Sequence, residues 1–190
     1  MQAMYFRAAA LCICVAFATG CASSPADDPQ VTKAIFDKGV AAYDAKNYEE
    51  AFKIFESIDD RDVAAMRNVA LMLRKGQGTP KDPKAAEDMY ARAATGGLAT
   101  AAADLGEMLL KGEAGEPDPK AALPWLMGAA EAGHPVAALE AGEIVEAGTA
   151  GPKDIATARK LYQIAADAGM EEARKRLSAL PAEPGPAKHP

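Results

Sequence analysis

Residues able to do chemistry are few in this chain. There are two histidines: His134 stands between Gly133 and Pro135, and His189 lies near the C-terminus. Two histidines so far apart make a poor metal site, and neither a His-Glu-x-x-His motif nor paired Cys-x-x-Cys motifs occur. His134 therefore reads as an exposed turn residue. Serines 23, 24, 57 and 178 lack the Gly-x-Ser-x-Gly setting of an activated nucleophile. Gly76-Gln77-Gly78 follows a helical stripe rather than a strand and has no Gly-Lys-Ser/Thr, so a helix C-cap explains it better than a phosphate loop. Asp59, Asp60 and Asp62 lack the further ligands and the fixed glycine of a calcium loop and read as capping and solvated residues. Glu116, Asp118, Glu131 and Glu140 form no recognisable acid–base pair. The expectation is a chain with no cofactor, no metal and no catalysis of its own.

The remaining reactive side chain is Cys21. Arg7 precedes an apolar run, Ala8 to Phe17, that is too short to span a bilayer, which takes about 20 residues. It has the length of a signal-peptide core. Ala18-Thr19-Gly20-Cys21 closes it and resembles a bacterial lipobox, with Ala18 where leucine is usual. That resemblance implies cleavage before Cys21 and lipidation of its thiol. Ala22 after the cysteine implies the periplasmic face of the outer membrane under the sorting rule known for enteric bacteria. An ordinary secretory signal cut near Ala22 is the alternative. Cys12 and Cys14 leave with residues 1–20, so a single cysteine remains and no internal disulfide can form. Residues 21–30 are expected to be a polar, proline-containing tether.

The elements behind these residues are set by composition and period. Of 190 residues, 45 are alanine, while aromatics make up 6%. Alanine favours helices and fills sheet cores poorly, so an all-β fold is excluded. A hydrophobic share of 49% argues against disorder. The net charge of −6 argues against nucleic-acid binding. Self-similarity is plain: Ala65, Ala101, Ala137 and Ala173 fall 36 residues apart, as do Gly76, Gly112 and Gly148, and Asp82, Asp118 and Asp154. Ala86, Ala122 and Ala158, the Ala-Ala pairs at 93, 129 and 165, and Gly97, Gly133 and Gly169 keep the same step. Within a unit, Ala101, Leu105, Met108 and Leu109 make a helical stripe that ends at Gly112. Asp118 then sits as an N-cap, with Pro119 at the first helical position. Each unit predicts a helical hairpin that buries its apolar face only by stacking on neighbours. Pro124, inside the second helix of its unit, predicts a late helix start or a bend near Leu123.

This pattern closely resembles the Sel1-like repeat, a relative of the tetratricopeptide repeat. Leu105-Gly106, Gly112, Asp118, Lys120-Ala121, Trp125, Ala129-Ala130 and Gly133 carry the resemblance in one unit. Gly76, Gly78, Asp82, Tyr90 and Gly97 carry it in another. It covers about 110 residues and implies an all-α, right-handed superhelical α-solenoid. The units are expected at 31–64 (tetratricopeptide-like), 65–100, 101–136 and 137–172, followed by a capping helix at 173–180 and a disordered tail at 181–190. In the first unit, Ala51 and Phe55 align with Ala85 and Met89 at a spacing of 34.

In tetratricopeptide relatives the first helix of each hairpin lines a concave surface. Here that face would carry Phe36, Val40 and Tyr43, then Arg67, Leu71 and Arg74, then Ala103, Glu107 and Leu110, and last Leu139, Glu143 and Glu146. The groove would run from aromatic through basic to acidic, its cations clamping the carboxylates of a partner segment. Any of these positions reads equally as a solvated or packing residue, and Phe36 and Tyr43 equally as core. The expected function is a lipid-anchored periplasmic adaptor for an envelope protein. The alternatives are glycan or peptidoglycan binding through exposed aromatics and, less favoured, a β-lactamase-like enzyme of the cysteine-rich Sel1-like kind. The last would want cysteine pairs that these units lack.

Overall fold

The computed structural model describes residues 28–182, so the expected signal segment, Cys21 and most of the expected tail lie outside the described residues. Nine helices follow one another: α1 Pro29–Asp44, α2 Tyr48–Glu56, α3 Val63–Lys75, α4 Pro83–Thr95, α5 Ala99–Lys111, α6 Pro119–Glu131, α7 Pro135–Ala147, α8 Ile155–Asp167 and α9 Glu171–Ala179. No strand occurs among the described residues. Helices α3 to α8 are six of equal length whose starts repeat every 36 residues, first helix to first helix and second to second. The same residue columns explain the ends. Asp82, Asp118 and Asp154 accept the backbone N–H of Ala85, Ala121 and Thr157 at 2.9–3.0 Å, supplying partners to first-turn donors. Gly76, Gly112 and Gly148 end α3, α5 and α7 in the left-handed conformation at φ 64–73°, where a side chain is strained.

Each hairpin packs on the next, and the alanine columns form the seam. Ala65, Ala101, Ala137 and Ala173 on the first helices are fully buried. So are Ala86, Ala122 and Ala158 with Ala93, Ala129 and Ala165 on the second helices. Small side chains at both seams let neighbouring backbones approach, and bulkier residues fill the space between. Phe55, Met72, Tyr90, Leu105, Leu126 and Tyr162 have under 2–3% of their surface left in water. At about 25 cal/mol per Å², burying one such side chain contributes roughly 1.5–3 kcal/mol, so no unit is stable without the neighbours that cover it. Among the described residues no helix is long and apolar enough to cross a membrane.

Three boundaries differ from the sequence expectation. Helix α1 begins at Pro29, not after residue 30: Asp28 accepts the Gln30 N–H at 2.8 Å and Pro29 takes a position whose missing N–H costs nothing, so the end of the expected tether is already helix. In the first hairpin the buried residues Ala51, Phe55 and Ile58 occupy the places of Ala86, Tyr90 and Ala93. The offset is therefore 35 rather than 34. The loop between α1 and α2 spans only residues 45–47 and turns through Lys46 at φ 63°.

Pro124 gives the third difference. Helix α6 starts in register at Pro119 and runs without interruption to Glu131, so the late start does not occur. Proline removes the single bond that would reach the carbonyl of Lys120, a solvent-exposed residue whose oxygen can turn to water. Pro124→Ala restores that bond on an exposed surface. It is expected to raise stability by about 1–3 kcal/mol in urea unfolding. A midpoint that does not rise would show that the helix already accommodates the ring.

Candidate functional site

The first helices α3, α5, α7 and α9 present one continuous face, and charged side chains tie them across successive repeats. Arg67 on α3 donates through Nε to the Asp104 carboxylate on α5 at 2.6 Å. Arg74 donates to Glu107 at 3.0 Å and, through two nitrogens, to Glu113 at 2.7 and 2.5 Å. The forked geometry makes this the strongest kind of ion pair a side chain can form. Only 13% of the Arg74 side chain remains exposed. Lys111 also pairs with Glu107. At the other end Arg176 on α9 meets Glu143 at 2.7 Å, Glu146 at 3.8 Å and Glu172 at 3.3 Å. The Tyr162 hydroxyl on α8 donates to Glu146 at 2.6 Å.

These contacts set the protonation behaviour of the face. The hydrogen bonds from Arg74 hold Glu113 below the usual carboxylate range, outweighing its partial burial. Burial works to raise Glu107, but the bonds from Lys111 and Arg74 win and lower it. Glu140, half-buried on α7, goes the other way. Burial first, and the nearby Glu107 carboxylate second, push it up to about 7 against the pull of Lys111. Burial also raises Tyr90, which lies near Asp104, Arg74 and Arg67.

The groove residues read from the sequence therefore fall into two kinds. Arg67, Arg74, Glu107, Glu143 and Glu146 are each paired within the chain. The arginines are engaged by Asp104, Glu107 and Glu113 before any partner arrives. Leu71, Leu110 and Leu139 are half-buried against the shared core. In the first hairpin Phe36 packs on Phe55 with ring centroids 5.5 Å apart, and Val40 is 37% exposed. Tyr43 stacks edge-on against Tyr48 at 5.2 Å and donates to the Gln77 side chain at 2.8 Å. Tyr90 and Tyr162 are buried, which removes two aromatics from any glycan-binding surface.

Sequence reading missed Asp104, Glu113 and Arg176 as partners on this face, and set Glu140 aside as part of no acid–base pair. For Glu140 and Arg176 the signal is a spacing of 33 residues, one repeat less about one helical turn, from 107 to 140 and from 143 to 176, as also from 74 to 107; Asp104 and Glu113 stand 37 and 39 residues after Arg67 and Arg74. His134 is not a free turn residue: it is half-buried at the N-cap of α7, and its Nδ1 accepts the Ala137 N–H at 3.3 Å. Asp62 caps α3 by accepting from Ala64 and Ala65 at 2.8 and 2.9 Å. Gly76-Gln77-Gly78 is the C-cap and its continuation. A Cβ on Gly78 would lie 2.2 Å from the Tyr48 carbonyl oxygen, so this loop rests directly on the first hairpin. Among the described residues no group of three or more His, Cys, Asp or Glu is placed to hold a metal ion.

Comparison with known proteins agrees with this architecture. A comparison with curated protein sequences finds no match. Among solved structures, a Sel1 repeat protein from Oxalobacter formigenes is 33% identical with a TM-score of 0.67; the match covers 75% of this chain and 58% of that one. The protein c5321, described as a protective antigen of uropathogenic Escherichia coli strains displaying an SLR fold, shares 22% identity with a TM-score of 0.71, over 78% of this chain and 33% of that one. The immunity protein Pa5087 from Pseudomonas aeruginosa shares 24% identity with a TM-score of 0.51, over 79% of this chain and 58% of that one. The chain thus spans less than two thirds of each of these relatives. The model of the Sel1 repeat matches residues 63–98, 99–134 and 135–170, the same 36-residue step as the helices and two residues ahead of the alanine column that opens each unit in the sequence. The chain belongs to the Sel1 repeat family.

Proposed function

We propose that this protein is a non-enzymatic adaptor, held by a lipid on Cys21 at the periplasmic face of the outer membrane, that binds an envelope or periplasmic protein along its first-helix face. Sel1 repeats generally mediate protein–protein interaction. The observation that carries the reading here is the row of ion pairs linking α3 to α5 and α7 to α9. It fixes the shape of an extended face in advance, which lowers the ordering cost of binding. Because Arg67 and Arg74 are already paired, a partner reads a preformed surface of mixed charge with half-buried Leu71, Leu110 and Leu139.

Site-specific photo-crosslinking in the native envelope tests this. A photoreactive residue in place of Leu110 or Glu143 is expected to capture a discrete protein, while one in place of Lys120 or Lys160 on the second helices captures none. Equal capture from both faces, or capture from the second helices alone, rejects the assignment. The anchor is tested separately by labelled palmitate. Incorporation is expected in the wild-type chain and absent in Cys21→Ala, and a labelled Cys21→Ala protein would refute it.

A further inference from the structure

A spacing of 33 residues relates one pair of positions on α5 and α7 and the equivalent pair on α7 and α9, and the residues at those positions differ between the two junctions. Between α7 and α9 it pairs Glu143 with Arg176, 2.7 Å apart. Shifted back by one 36-residue repeat, the same two positions are Glu107 on α5 and Glu140 on α7. Where one junction holds a carboxylate and a guanidinium, the other holds two carboxyl groups. Helices α5 and α7 touch directly, and Glu140 is half-buried on α7 at this contact's register.

The cations bonded at this junction, Arg74 and Lys111, serve Glu107 rather than Glu140. From α5, Glu107 and Lys111 act on Glu140, and from its own helix Glu143 does. Lys111 is bonded to Glu107. Arg74 is occupied by Glu107 and Glu113, and Arg176 by Glu143, Glu146 and Glu172. Helices α6 and α8 meet α7 through the apolar core, including Leu126, Ala129, Ala158 and Ala165, and the Tyr162 hydroxyl goes to Glu146.

We propose that the joint between the second and third Sel1 repeats is controlled by a proton: with Glu140 neutral α5 and α7 stay closed, and ionisation of Glu140 against the Glu107 carboxylate loosens them. This goes beyond the adaptor reading and does not depend on what the face binds. It makes the shape of the face, and of the solenoid at its middle, a function of pH near neutrality. The sign follows from linkage. Glu140 holds its proton to about pH 7 in the folded chain but loses it near 4.5 when unfolded. The stabilisation is complete below about pH 4.5 and is lost as pH rises through about 7.

Amide hydrogen exchange on the full chain between pH 5 and pH 8, corrected for the intrinsic rate, reads the joint directly. Peptides from 99–111 and 135–147 in the wild type are expected to lose about tenfold more protection than in Glu140→Gln, the part of the shift that survives solvent screening. Glu140→Arg copies the Glu143–Arg176 junction and should keep protection at both pH values. The proposal is overturned if Glu140→Gln loses as much protection as the wild type, or if the loss is equal in peptides from 29–56. Should Glu140→Arg not fold, Glu107→Gln is the second variant: it removes the opposing charge, and an undiminished pH step in it also overturns the proposal.

Discussion

Arg74→Met is expected to lower unfolding stability by about 2–3 kcal/mol, the low end of what breaking a buried ion pair costs, because all three partners keep some contact with water. For a chain of this size that corresponds to a fall of roughly 4–12 °C in the thermal midpoint. The loss has two parts. The bidentate fork to Glu113 disappears, and Glu113 and Glu107 remain on a crowded face with only Lys111 to compensate them. Arg74→Lys tests the geometry apart from the charge. A single ammonium cannot span both carboxylates as a guanidinium does, so a loss of more than half the methionine effect is expected. The pH dependence separates this from simple packing. Glu113 and Glu107 have lowered pKa values in the folded chain, so the stability they contribute is present above the ordinary glutamate range and is lost as pH falls below it. Arg74→Met should flatten the acid side of the stability profile, and a profile that keeps its wild-type slope would refute the assignment. The double variant Arg74→Met with Glu113→Gln should recover part of the loss, since no uncompensated carboxylate is left at that position.

Sequence alone revealed nearly all of the scaffold, for a physical reason. Columns such as Ala65–Ala101–Ala137–Ala173 and Gly76–Gly112–Gly148 are constrained by close approach and by positive φ, so few residues fit and the period is visible. The face that connects the repeats was harder to read. Arg67, Arg74, Glu107 and Glu143 are read from single helices, but most of their partners lie on a neighbouring first helix or, for Glu113, in the loop after it. The relevant spacing mixes one repeat with one helical turn, and a reading confined to single helices does not generate it. His134 was misread because its counterparts in the column divide: Asp62 caps α3 through its side chain, while Leu98 and Met170, at the starts of α5 and α9, make no side-chain cap bond, so the capping signal is broken. Pro124 was misjudged because the cost of proline depends on whether the freed carbonyl reaches water. Burial, not sequence, decides that.

Gly142→Val is expected to destabilise the third Sel1 repeat by about 3 kcal/mol, near the top of the range for forcing extra carbon into a packed core. A Cβ at Gly142 would lie 2.5 Å from Cε1 and 2.8 Å from Cδ1 of Tyr162 on the facing helix. The ring cannot step aside: it is fully buried and its hydroxyl is held by Glu146 at 2.6 Å. The same device recurs where a Cβ on Gly106 would lie 2.4 Å from Cδ2 of Leu126 and one on Gly39 would lie 2.6 Å from Cε1 of Phe55. Yet Ala70 occupies this column in the hairpin that carries Tyr90, so one methyl group is compatible with a hairpin of this kind. Gly142→Ala should therefore cost less than valine: overpacking of about 1–3 kcal/mol is offset by roughly 1 kcal/mol of helix propensity gained on replacing glycine. Gly128 is the internal control, since it lies within α6 with nothing inside 4 Å of its would-be Cβ. Gly128→Ala receives the propensity gain without the clash and should stabilise by about 0.5–1 kcal/mol. The ordering Gly128→Ala above wild type, then Gly142→Ala, then Gly142→Val, measured by urea unfolding, separates close packing from backbone entropy. If Gly142→Ala stabilises as much as Gly128→Ala, the contact with Tyr162 is not what selects glycine in this column.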